Sequence, residues 1–120
     1  MKFSYALVIV YHPLRAEEIQ YALVQAGYQA QVTRTGSRAQ IQLALTTPDL
    51  IVIDLNLPDI PGDIILRQIK AQSRLRQSQL ILLSEDAQTG IESHDLANLT
   101  MMKAANFQQL SELAANLLPI

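Results

Sequence analysis

The stretch PDLIVIDLNLPDIPGD, residues 48–63, carries four apolar residues, Leu50 to Ile53, straight into a single carboxylate, Asp54. A strand with one wet face alternates apolar and polar residues. A continuous apolar run of about five residues between turn formers instead fits a strand buried on both faces, as in a parallel sheet covered by helices. Three other runs share the pattern: ALVIV (6–10), LILLS (80–84) and LTMM (99–102). A weaker run, AQVTRT (30–35), lies between Gly27 and Gly36 and fits an edge strand.

The intervals between these runs read as helices. Ile19, Ala22, Leu23 and Ala26 share one helical face, and Gly27 is placed to end that helix. Ser37 is placed to cap a second helix carrying Ile41, Ala44 and Leu45, which Pro48 limits. Ile65, Leu66 and Ile69 mark a third, a weak fourth lies in 87–97, and the last runs through Phe107, Leu110, Leu113, Ala114 and Leu117. Repeated strand–helix alternation predicts a doubly wound α/β fold, one domain over residues 1–120, with right-handed crossovers placing helices on both faces of the sheet.

Composition narrows the function. The apolar fraction of 49% suits a folded globule, and a net charge of −2 offers no broad basic field for nucleic acid. The one cationic group, Arg67, Lys70, Arg74 and Arg76, has no aromatic residues interleaved and reads as a solvated helix end. Cysteine is absent, which excludes disulfides and thiolate chemistry. The N-terminal apolar run is short and is followed by Pro13 and the charges of Arg15, Glu17 and Glu18, unlike a signal peptide or membrane span. A cytoplasmic domain with no membrane contact is expected.

In an open α/β sheet, function gathers at the carboxyl ends of the strands. Those ends are Tyr11–His12–Pro13, Asp54, Ser84 and Lys103. Asp54 is followed by Pro58 and Gly62 in DLNLPDIPG, with Ser84 closing the next strand and Lys103 the last. In these residues, and in strand order and spacing over essentially the whole chain, the sequence resembles a CheY-like receiver domain of two-component response regulators. The resemblance implies a flavodoxin-like five-stranded parallel sheet in the order 2-1-3-4-5. It also implies that Asp54 matches the acceptor of a phosphoryl group from a histidine kinase. Asn56 matches the position whose backbone carbonyl helps hold Mg²⁺, Ser84 the hydroxyl that bonds the phosphoryl oxygen, and Lys103 the ammonium that pairs with it. Such a set supplies positioning and charge neutralisation, which is most of what phosphoryl transfer requires.

The family pattern then breaks. Receivers carry two adjacent acids after the first strand to hold Mg²⁺, and here those positions are Tyr11 and His12, followed by Pro13 and Leu14. Mg²⁺ is a hard cation that favours carboxylate and water oxygens, so a phenol and an imidazole make a degenerate metal site and no metal or other cofactor is expected. Lys103 is followed by Ala104 in place of proline, and Thr100 stands at the switch position where receivers generally place an aromatic. The span from Ser84 to Lys103 is short, so the fourth helix is expected to be truncated or irregular.

These departures imply an atypical receiver, a pseudo-receiver, that is not an enzyme. It would act through a protein partner: a histidine kinase, an output domain or another signalling protein. The expected contact surface is the fourth helix, fifth strand and fifth helix. Asp54 is expected to pair directly with Lys103, Tyr11 to fill the space of the missing acids, and His12 to cap or pack. His94, beside Glu92 and Asp95, reads as a solvated helix residue, and Ser84 with Glu85 and Asp86 lacks the glycine-framed elbow of a hydrolase nucleophile. Two other readings stay open: a working receiver phosphorylated on Asp54, and a small-molecule-sensing module on a flavodoxin-like frame, for which no glycine-rich phosphate loop is present.

Overall fold

The computed structural model describes residues 4–83, 99–102 and 107–119, without the side chains of 99–102 and 107. Five strands form one parallel sheet: β1 (Ser4–Ile9), β2 (Tyr28–Thr33), β3 (Leu50–Asp54), β4 (Gln79–Leu83) and β5 (Leu99–Met102), in the order β2-β1-β3-β4-β5. The continuous apolar runs are explained by two cores. Ala6, Val8, Val10, Val52 and Ile81 face one side of the sheet, while Leu7, Ile9, Ile51, Ile53 and Leu82 face the other. Because successive side chains of a strand alternate faces, a strand with a core on each side must be apolar at every position.

The first core is closed by α1 (Pro13–Gln25) and α4 (Phe107–Asn116), through Ala16, Ile19, Ala22, Leu23, Leu110 and Ala114. The second is closed by α2 (Gly36–Leu45) and α3 (Gly62–Ala71), through Ala39, Leu43, Ile65, Leu66 and Ile69. The final helix foreseen from sequence is thus α4; the weak helix in 87–97 lies outside the described residues. Among the described residues no helix is long and apolar enough to cross a membrane.

Local chemistry sets the helix ends. Pro13 opens α1, where its missing N–H costs nothing and its fixed φ suits the first turn. At the other end Gly27 takes φ 109°, which a side chain would strain, and so lets the chain reverse into β2. The cap of α2 is Thr35 and not Ser37: the Thr35 hydroxyl accepts from Arg38 N at 3.2 Å, and Ser37 sits inside the first turn. The buried face of α2 also differs from expectation. Gly36, Ala39 and Leu43 turn inward, whereas Ile41 and Leu45 are 57% and 74% exposed. Starting the helix two residues earlier does not cause this. The inward face takes small residues where the β3–α3 loop crowds it: a Cβ on Gly36 would lie 2.7 Å from Ile60 Cβ, and Ala39 and Leu43 continue that face into the core.

Two polar ties fix the outer layers. Arg74, from the group read as a solvated helix end, donates to the carbonyls of Leu43 and Thr46 at the end of α2, the latter at 2.8 Å. A cation there satisfies the orphan carbonyls of a helix C-terminus. The buried Tyr28 hydroxyl donates to Ala114 O at 2.8 Å, joining β2 to α4. Burial, and secondarily the negative charge of Asp49, pushes that phenol up to about 12.

Candidate functional site at the carboxyl end of β3

Asp54 is the last residue of β3 and only 6% exposed. A buried carboxylate needs compensation for each oxygen it has taken from water. Oδ1 accepts the backbone N–H of Asn56 at 2.9 Å, and Oδ2 accepts Nη1 of Arg15 at 3.1 Å. The second contact is an ion pair between side chains 31% and 9% exposed.

Arg15 reaches Asp54 because of how α1 begins. His12 is the N-cap, with Nδ1 accepting Arg15 N at 3.4 Å, and Pro13 holds the first helical turn. The third helical position, Arg15, then projects over the end of β3. A helix N-terminus favours negative charge, and the first turn of α1 contains no acid. A cation in that turn is locally disfavoured, and the Asp54 carboxylate is what offsets it.

The loop from β3 to α3 is built to hold this end of the sheet. Leu55 O accepts from both Leu57 N and Gly62 N at 3.1 Å, closing the loop on itself. A Cβ on Gly62 would lie 2.6 Å from Leu55 Cα, so only glycine fits there. Asp59 clamps the loop to the start of α2: it accepts Gly36 N at 2.7 Å and Ser37 N at 2.9 Å, and also Ile60 N at 2.9 Å. Donation from the Ser37 backbone first, then from Gly36, lowers the Asp59 carboxyl from its ordinary 3.8 to about 2.

The residues foreseen from sequence are placed unequally. Asp54 and Asn56 come together, the exposed Asn56 contributing its N–H to the carboxylate. His12 is an exposed cap, as expected. Tyr11 does not fill the space of the missing acids. It is 48% exposed, its carbonyl accepts Arg34 Nε at 2.9 Å, and the Arg34 guanidinium carbon stands 5.5 Å from its ring centre. The outward cation–π contact and the Arg15 side chain together explain why the phenol is not needed inside. Glu17 and Glu18 are exposed on α1. Thr100 pairs with Ile81 in the sheet register, while its side chain, Ser84, His94 and Lys103 lie outside the described residues. Arg15 and Asp59 were missed by sequence reasoning. The available signals were a cation three residues after a helix cap and an acid between Pro58 and Ile60, just before a glycine-opened helix.

The fold family implies Mg²⁺, and the described donors do not fit it. One oxygen of Asp54 already holds a guanidinium, Tyr11 faces outward, and the His12 nitrogen serves the helix. Among the described residues no group of three or more His, Cys, Asp or Glu side chains could share a metal ion.

A parallel sheet in this order, with helices on both faces and an acid at the exit of its central strand, defines a flavodoxin-like α/β protein with a CheY-like fold. The response regulator receiver domain family matches residues 6–114, and the chain belongs to it. The chain is thus a receiver domain of two-component signalling, a kind of module that works with a protein partner. Similar solved structures include a response regulator receiver domain protein from Bacillus halodurans, at 25% identity and TM-score 0.84, covering 99% of this chain and 100% of that one. The receiver domain of a signal transduction histidine kinase from Syntrophus aciditrophicus is 27% identical, with TM-score 0.76 and coverage of 95% and 89%. The phosphorylated cyanobacterial phytochrome response regulator RcpA is 26% identical, with TM-score 0.78 and coverage of 96% and 91%. No curated protein matches the chain.

Proposed function

We propose that this receiver is a pseudo-receiver: a cytoplasmic, non-enzymatic signalling module that acts by protein contact and not through a Mg²⁺-dependent phosphorylation cycle. The observation that carries the reading is the Arg15–Asp54 ion pair, with Tyr11 and His12 in place of the acidic pair. An acceptor carboxylate must attack with a lone pair and shed charge onto a cation. Here both oxygens already accept hydrogen bonds, and the two positions that would hold the cation carry no carboxylate. The partner is a histidine kinase, an output domain or another signalling protein, engaged through the face that includes β5 and α4.

Incubation with acetyl phosphate and Mg²⁺ followed by intact-mass measurement tests this. No stoichiometric adduct is expected. A full phosphoryl adduct that disappears in Asp54→Asn would restore the working-receiver reading, and a bound small molecule in a native mass spectrum would favour the sensor reading.

A further inference from the structure

We infer that Arg15 is a tethered replacement for the divalent cation, so that cation binding at Asp54 is excluded by a charge built into α1 and not only by the loss of acids. The inference rests on the pseudo-receiver reading and names the device that maintains it. Three observations carry it. The guanidinium donates to Asp54 Oδ2 at 3.1 Å, on the face of the carboxylate left by the Asn56 N–H, which takes Oδ1. Arg15 stands in the first turn of α1, which contains no acid and where a positive charge opposes the helix dipole. The residue is arginine, whose charge is permanent and whose weakly hydrated planar head suits a half-buried pair better than an ammonium would.

A divalent ion on Oδ2 would sit about 2.1 Å from that oxygen, hence no more than about 5 Å from the guanidinium nitrogen. Two cations at that distance, at a site only 6% exposed, repel strongly. Arg15 and a metal ion are therefore alternatives, and the state of Asp54 is independent of the Mg²⁺ level in the surroundings.

Mn²⁺ is the probe, read as paramagnetic broadening of the backbone amides of residues 54–57 in ¹⁵N-labelled protein. Tyr11→Asp/His12→Asp supplies the missing acids while Arg15 stays, and a third substitution, Arg15→Gln, then removes the guanidinium. The triple variant is expected to bind Mn²⁺ at least about tenfold more tightly than the double variant, because one fixed positive charge has been removed from beside the ion. Arg15→Lys in the double background keeps the charge and is expected to bind as weakly as the double variant.

Equal Mn²⁺ affinity with and without Arg15 would overturn the inference and leave the pseudo-receiver reading standing. Broadening of residues 54–57 in the unmodified protein at the Mn²⁺ levels that saturate the triple variant would overturn both. If Arg15→Gln loosens the fold, Mn²⁺ must restore the helical circular-dichroism signal of the triple variant, since a ligand that binds only the folded chain stabilises it. A triple variant that stays unfolded in excess Mn²⁺ also counts against the inference.

Discussion

Asp54 and Asp59 lie on the same loop, five residues apart in sequence, and they hold it by opposite means. Asp54 is buried and, among the described residues, answers one side-chain cation and one backbone N–H. Asp59 is exposed and answers three backbone N–H groups, two of them from the start of α2. A buried charge cannot fall back on water, so its partner is indispensable. An exposed one can, so its bonds order the loop without the fold depending on them. The difference teaches that the acid which looks functional is the structurally dependent one, while its neighbour works as a replaceable clamp.

Three substitutions probe that contrast. The largest effect is expected from Arg15→Ala, which removes the guanidinium from the buried Asp54 carboxylate and, among the described residues, leaves it the Asn56 N–H. A loss of about 3 kcal/mol in urea unfolding is expected, at the low end for a broken buried pair because Arg15 is partly exposed. Adding Asp54→Asn should recover much of it; a double variant as unstable as Arg15→Ala would mean that stem packing, and not charge, matters there.

Gly62→Ala is expected to come next, at about 1–3 kcal/mol, because its Cβ meets backbone that cannot yield without moving the loop between the two aspartates. Amide shifts at Asn56 should accompany the loss. An unchanged spectrum and stability would show the loop to be softer than its hydrogen bonds suggest.

Asp59→Asn is expected to have the smallest effect: a modest drop in melting temperature at neutral pH, without loss of the fold. The sign of its pH dependence follows from the lowered pKa. The carboxylate contributes stability above its ordinary 3.8, and this is lost as pH falls from there through about 2. The gap between the wild-type and Asp59→Asn melting curves should thus be constant near neutrality and close across that window. A gap that persists at pH 2 would deny the carboxylate its role.

Much of the architecture was legible because it depends on local pattern. The run Leu50–Ile53 could be buried on both faces only in a covered parallel sheet, and β3 has the bounds read from it. Gly27 and Ile65, Leu66 and Ile69 likewise fell where expected. The errors share one cause. Ile41 and Leu45 satisfied helical spacing, but which face of α2 turns inward depends on what packs against it, Ile60 among others. Tyr11 was assigned to a vacancy that Arg15, a long side chain from the next turn of chain, reaches instead.

The sequence by itself determined the sheet, the acid at the exit of β3 and the absence of acids after β1, because each is a property of residues adjacent in the chain. Only the tertiary structure decided what neutralises Asp54. Its Arg15 partner is 39 residues distant, and a flexible cation that disfavours its own helix turn declares its purpose only when the fold brings a buried carboxylate within 3.1 Å.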